Sequence, residues 1–97
     1  MDIPIDKIRD FCVTEGISYL AIFGSVAGGN ERPDSDIDIL VSFHDESKIG
    51  LLHFIGVKNR LADLLGRPVD LVDRAGLNPR IKPFVLASLR EIYNDAA

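Results

Sequence analysis

The chain has no tryptophan, one cysteine and one methionine among its 97 residues. A single cysteine cannot close an internal disulfide. Cys12 has no basic cluster beside it in sequence to lower its pKa, so it is expected as a small buried residue on a helix. No apolar run approaches the roughly 20 residues that a membrane helix needs. The opening residues MDIPIDKIRD also lack the basic-then-apolar plan of a secretory signal. No membrane association is expected, and the expected location is the cytoplasm. An excess of positive charge is missing too: 11 Lys and Arg stand against 15 Asp and Glu, a net charge of −4. Passive nucleic-acid binding needs a basic face, so direct nucleic-acid binding is not expected.

What is present suits one globular domain over residues 1–97. Hydrophobic residues make up 46% and charged residues 27%, enough apolar material for one modest core. No repeat or linker interrupts the chain. Residues 4–15 read as a helix, with Pro4 in its first turn and Ile5, Ile8, Phe11 and Cys12 on one face. Gly16 fits the position just after it. Residues 17–23, ISYLAIF, form a nearly continuous apolar run, the pattern of a strand buried on both faces. A short helical turn is expected after Gly24-Ser25, ending near Gly28-Gly29, and NERPDS, 30–35, has the composition of a loop.

IDILVSF, 37–43, is the second strand. Residues 51–66 predict an amphipathic helix with Leu51, Leu52, Ile55, Leu61, Leu64 and Leu65 as its apolar side, stopped by Gly66. VDLV, 69–72, is the third strand. Asn78-Pro79 starts a helix running to about Leu89, although Pro83 disturbs its first turns. REIYN, 90–94, is a short edge strand. The order α-β-α-β-α-β-α-β predicts an α/β (α+β) fold, a small mixed sheet flanked by helices.

Asp36 and Asp38 frame the functional question. Side chains alternate along a strand, so these two carboxylates share a face, with Ile37 and Ile39 on the other. Like charges so placed repel, and one pKa should rise. A divalent cation removes the conflict, and Mg²⁺ prefers such hard oxygen ligands. Alone, D-x-D fits a solvated strand end equally well. Two other features add weight. Gly24-Ser25 follows a strand and opens a turn, where free backbone N–H groups and a hydroxyl suit phosphate. Asp70 lies inside the apolar VDLV run, either as a buried carboxylate that needs a cation or a partner or at a sheet edge facing solvent. Three acidic residues on neighbouring strands beside a phosphate-holding turn make a nucleotide–metal site. Two metal ions could there clamp the attacking and leaving oxygens.

Gly24-Ser25, a ten-residue gap and then Asp36-x-Asp38 resembles the signature of the DNA polymerase β-like nucleotidyltransferase superfamily. The GSVAGG…PDSDIDILV core and the later VDLV resemble its minimal members, the MntA-like antitoxins often paired with a HEPN-domain partner. The likeness runs from about Ile17 to Tyr93. It implies that Asp36 and Asp38 ligate Mg²⁺, two ions in all. Asp70 would be the third carboxylate, both metal ligand and general base. Gly24 and Ser25 would hold the β- and γ-phosphates of ATP. It further implies transfer of AMP to a tyrosine of a HEPN-type toxin.

One position departs from the pattern. Many relatives carry Arg where this chain has Gly28, and Arg32 on the same loop is the candidate to replace it on the nucleotide. Two other activities stay open: neutralising a partner by contact alone, and nucleotidyl transfer to a small molecule, for which 97 residues leave little room. Homo- or hetero-oligomers are both open. His44 and His53 show no metal-ligand spacing, and Arg80 and Lys82 read as solvated surface.

Overall fold

Helical spacing of Ile5, Ile8, Phe11 and Cys12 produces α1 (Ile5–Glu15). The structure, a computed structural model, describes residues 3–24 and 36–95. Pro4 is the residue before the helix rather than part of its first turn, and Gly16 closes it with φ 71° and its N–H on the Cys12 carbonyl. The chain turns there directly into β1 (Ile17–Phe23). After the undescribed stretch come β2 (Ile37–Phe43), α2 (Leu51–Leu65), β3 (Val69–Asp73), α3 (Lys82–Ala87) and β4 (Arg90–Asn94). The helical turn and loop expected over residues 25–35 lie outside the described residues.

The four strands form one mixed sheet in the order β3-β2-β1-β4. β1 runs antiparallel to β2 and β4, while β2 and β3 are parallel. The apolar run of β1 is explained by that order. It lies inside the sheet, between β2 and β4, and six of its seven residues are buried. The shorter, more polar β3 and β4 form the edges.

One face of the sheet carries the main core. Ile17, Leu20, Ile22, Ile37, Ile39, Val41, Val69, Leu71 and Ile92 pack there against Ile8 and Cys12 of α1 and Val57, Leu61 and Leu65 of α2. Burial pushes the Cys12 thiol up to about 12, so it is inert, as expected of a small core residue. The opposite face is thinner. Tyr19, Ala21, Phe23 and Leu40 cluster there under Val85 of α3, with Val72, Leu77 and Leu89 at the margin.

Two helix expectations need correction. In α2 the buried side is Val57, Leu61 and Leu65, with Phe54 and Ala62 packed beside them. Leu51, Leu52 and Ile55 are instead exposed, at 75%, 87% and 41%. At 3.6 residues per turn, Leu52 and Ile55 stand roughly 160° and 100° around the helix from Phe54, so they cannot share its face. The last helix is also shorter than the expected span from Asn78 to Leu89. Asn78 does begin a turn, its side chain accepting from the Arg80 N–H at 2.9 Å, but regular helix starts only at Lys82. Pro83 has no N–H to bond backward, and at the other end Ser88 closes the helix on the Val85 carbonyl at 3.3 Å. Among the described residues no helix is long and apolar enough to cross a membrane.

Candidate active site

Asp36, Asp38 and Asp70 meet at one end of the sheet because of strand register. Asp38 is the second residue of β2, and its flanking residues Ile37 and Ile39 are fully buried in the main core. Those two anchors turn the Asp38 side chain to the opposite face. Its register partner on β1 is Phe23, and on β3 it is Asp70. Two carboxylates therefore sit side by side on parallel strands. Asp36 precedes β2 and adds a third negative charge close enough to act on Asp38.

The burial of the three is unequal. Asp38 is half-buried, while Asp36 and Asp70 are exposed. Of the two placements that its apolar flanks left open, Asp70 thus takes the exposed one. It lies on an edge strand, with Val69 and Leu71 turned into the core and its own side chain outward. Asp38 carries the electrostatic load. Its carboxyl is held above the usual range, first by burial and then by the charges of Asp70 and Asp36.

Gly24 completes the described part of the site. It follows Phe23 directly and adopts φ 76°. A Cβ at this position would collide with Oδ2 of Asp38 and lie 3.3 Å from its carboxyl carbon. Only glycine permits that backbone to lie against Asp38 in that conformation. The Gly24 N–H is not free. It donates to the Ser88 hydroxyl at 3.0 Å. Ser88 escaped the sequence reading because nothing local marks it; it lies 64 residues further along the chain. Ser25 and Arg32, the other two residues expected on the nucleotide, lie outside the described residues, as does Gly28.

The donor chemistry fits a hard divalent cation. Hard oxygens crowd around one carboxylate, and among the described residues no cationic side chain is paired with them. Among the described residues, no group of three or more His, Cys, Asp or Glu side chains is placed to hold a metal ion by itself. Mg²⁺ does not require one: it keeps several waters and takes one or two carboxylates together with substrate phosphates. An open acidic edge beside a glycine backbone suits a metal–triphosphate pair better than a structural ion.

The other sequence candidates lie elsewhere. His44 pairs with Asp95. His53 meets the Phe43 ring edge-on at 6.3 Å. Asp73 accepts from the Ala75 N–H at 3.0 Å and interacts with Glu46. Arg80 and Lys82 are exposed on the turn into α3.

A sheet of this order, with an acidic pair in register beside a positive-φ glycine, is the arrangement of a nucleotidyltransferase domain. The family described as Polymerase beta, Nucleotidyltransferase matches residues 6–96. The chain belongs to that family and has its polymerase β-like α+β fold. The protein adenylyltransferase MntA of Thermococcus cleftensis is 42% identical over 71 residues, 73% of this chain and 70% of that protein. In a toxin–antitoxin crystal structure with AMP-PNP, a chain 23% identical superposes with a TM-score of 0.80, covering 95% of this chain and 74% of its own length. Another chain, 21% identical with a TM-score of 0.71, belongs to a complex of the tri-AMPylated Shewanella oneidensis HEPN toxin with MNT antitoxin; the match covers 95% of this chain and 71% of that one. At these identities the two structures speak for the fold.

Proposed function

We propose that this chain is a Mg²⁺-dependent adenylyltransferase that moves AMP from ATP onto a tyrosine hydroxyl of a HEPN-type toxin and so acts as its antitoxin. The observation that carries the reading is the placement of Asp38 against Asp70 on one side and Gly24 on the other. Membership of the nucleotidyltransferase family supports the reaction class. The adenylyltransferase among the relatives supports AMP as the group transferred. The resemblance to HEPN-paired antitoxins supports the partner.

Asp36 and Asp38 would hold the metal, with Asp70 the third carboxylate on the acceptor side. When bound, Mg²⁺ neutralises the triphosphate and favours pyrophosphate as leaving group. The chain's own residues do the rest. Exposed Asp70 accepts the proton of the acceptor hydroxyl. That oxygen attacks the α-phosphorus, its new P–O bond forms, and the bond to the bridging oxygen breaks to release pyrophosphate. Gly24 lets the backbone pass close against Asp38, and Ser25 and Arg32 would contact phosphate. Positioning and charge neutralisation supply most of the rate, because little covalent work falls to the protein.

The test is incubation with labelled ATP, Mg²⁺ and a HEPN-type toxin as acceptor. Label should pass to the toxin and vanish with the Asp36→Ala/Asp38→Ala pair. If the double variant still protects cells as well as the parent, the protein neutralises by contact and the enzymatic reading fails. Efficient labelling of a small-molecule hydroxyl in place of the toxin would fail it as well.

A further inference from the structure

The Gly24 N–H is the feature that phosphate binding leaves unexplained. A free amide there would be a natural phosphate donor, yet it is engaged by Ser88. Two contacts tie the same two segments together. Val85, only 1% exposed, packs in the cluster that contains Phe23. Three residues later, at the position just after that short helix, the Ser88 hydroxyl takes the amide of Gly24. The end of α3 is thus tied to the end of β1 twice, through the cluster that Val85 and Phe23 share and through the Ser88 hydrogen bond to Gly24.

That grip has a direction. The amide bond fixes the plane of the peptide linking Phe23 to Gly24. Gly24 at φ 76° then has its α-carbon against the Asp38 carboxyl, where a Cβ could not fit. Asp38 in turn stands in register with Asp70. A small rotation of that peptide would either press Gly24 into Asp38 or open a gap beside it. An error of about 1 Å in such an arrangement can cost on the order of 10²-fold in rate.

We infer that Ser88 is a positioning residue: its hydroxyl accepts the Gly24 N–H and thereby holds Gly24 against Asp38. Ser88 touches neither phosphate nor acceptor. Through it the α3–β4 junction, remote in sequence, controls the geometry of the site. This role rests on the nucleotide reading above, so its test needs one arm that involves no nucleotide.

Ser88→Thr and Ser88→Val make the comparison, since they match in shape and differ in the hydroxyl. The first readout is hydrogen exchange at the Gly24 amide in the intact chain. Exchange should quicken at least ten-fold in Ser88→Val and stay near the parent rate in Ser88→Thr, with the Ile22 and Ile39 amides unchanged in both. The second is affinity for AMP-PNP with Mg²⁺, together with transfer kinetics. Ser88→Val should weaken AMP-PNP and raise the KM for ATP at least five-fold without altering the KM for the acceptor, and Ser88→Thr should restore both. Unchanged Gly24 exchange in Ser88→Val overturns the inference. So does faster exchange with unaltered AMP-PNP affinity and kinetics. If the parent chain binds no AMP-PNP, the proposed function is what fails, and the exchange arm alone then decides whether Ser88 holds Gly24. Ser88→Ala repeats the exchange measurement should Ser88→Val not fold.

Discussion

Asp70 and Asp73 stand three residues apart on β3, face opposite sides, and belong to two acidic clusters of different kinds. Asp73 pairs with Glu46, and both use their oxygens on the protein itself. Glu46 Oε1 accepts from the Phe43 N–H at 3.1 Å, and Asp73 Oδ1 accepts from Ala75. Glu46 is raised by burial, pulled down by the Phe43 hydrogen bond and raised again by Asp73. Asp38 is raised by burial and by two like charges, with no opposing contribution from the described residues. One cluster has found partners within the described fold. The other has no hydrogen-bond donor among the described residues. Asp38 and Glu46 are both raised, so a raised pKa alone does not mark the functional pair; what sets Asp38 apart is that no donor reaches it among the described residues.

That contrast breaks most sharply on activity. Asp38→Asn keeps the shape and removes the charge, and turnover should fall by on the order of 10²- to 10³-fold or more. Glu46→Gln should leave turnover near the parent value. Toxin labelling under saturating ATP measures both, and a comparable loss in the two variants would erase the distinction. Stability should respond the other way round. Glu46→Ala strips the partner from a part-buried amide, at a cost of about 1–3 kcal/mol in denaturant unfolding. Asp38→Asn relieves like-charge repulsion and should leave stability equal or higher.

Divalent metal gives an intermediate effect. A ligand that binds only the folded state at ten times its Kd stabilises by about 1.4 kcal/mol. Mg²⁺ should therefore raise the Tm of the parent chain and of Glu46→Gln, but not of Asp38→Asn. Thermal melts with Mg²⁺ and with chelator decide it. A rise that survives in Asp38→Asn but is lost in Glu46→Gln would exchange the roles of the clusters.

Legibility in sequence followed the range of the forces. The strands were readable because burial repeats over two residues: Ile37 and Ile39 face one way, so Asp38 must face the other. The buried side of α2 was misread because its exposed Leu51, Leu52 and Ile55 are as apolar as its core residues, and only the sheet beneath selects Val57, Leu61 and Leu65. The apolar neighbours of Asp70 left a buried and a sheet-edge placement open, and strand order put it on an edge. The register that sets Asp38 beside Asp70, and the Ser88 bond to Gly24, join residues distant along the chain. No local pattern encodes such a meeting. The D-x-D spacing announced a chemistry; the partners on β3 and after α3 came from topology.

The smallest effect is in the pH dependence, and here the clusters should separate by sign. Asp38 and Glu46 both bind their protons more tightly in the folded chain than at their ordinary values of 3.8 and 4.5. Above those values the folded state holds more protons than the unfolded one. The stability each contributes is complete below the ordinary value and is lost as pH rises through the raised folded value. Other carboxylates titrate in the same range, so the informative quantity is the parent curve minus a variant curve. Without metal, both the difference from Asp38→Asn and that from Glu46→Gln should decline as pH rises. Saturating Mg²⁺ favours ionised Asp38, which reverses the inequality for that group alone. The Asp38 difference should then climb with pH while the Glu46 difference keeps its downward slope. Denaturant unfolding across the acid range, with and without Mg²⁺, measures all four slopes. A Glu46 slope that also reverses would mean that the metal does not distinguish the two faces of β3.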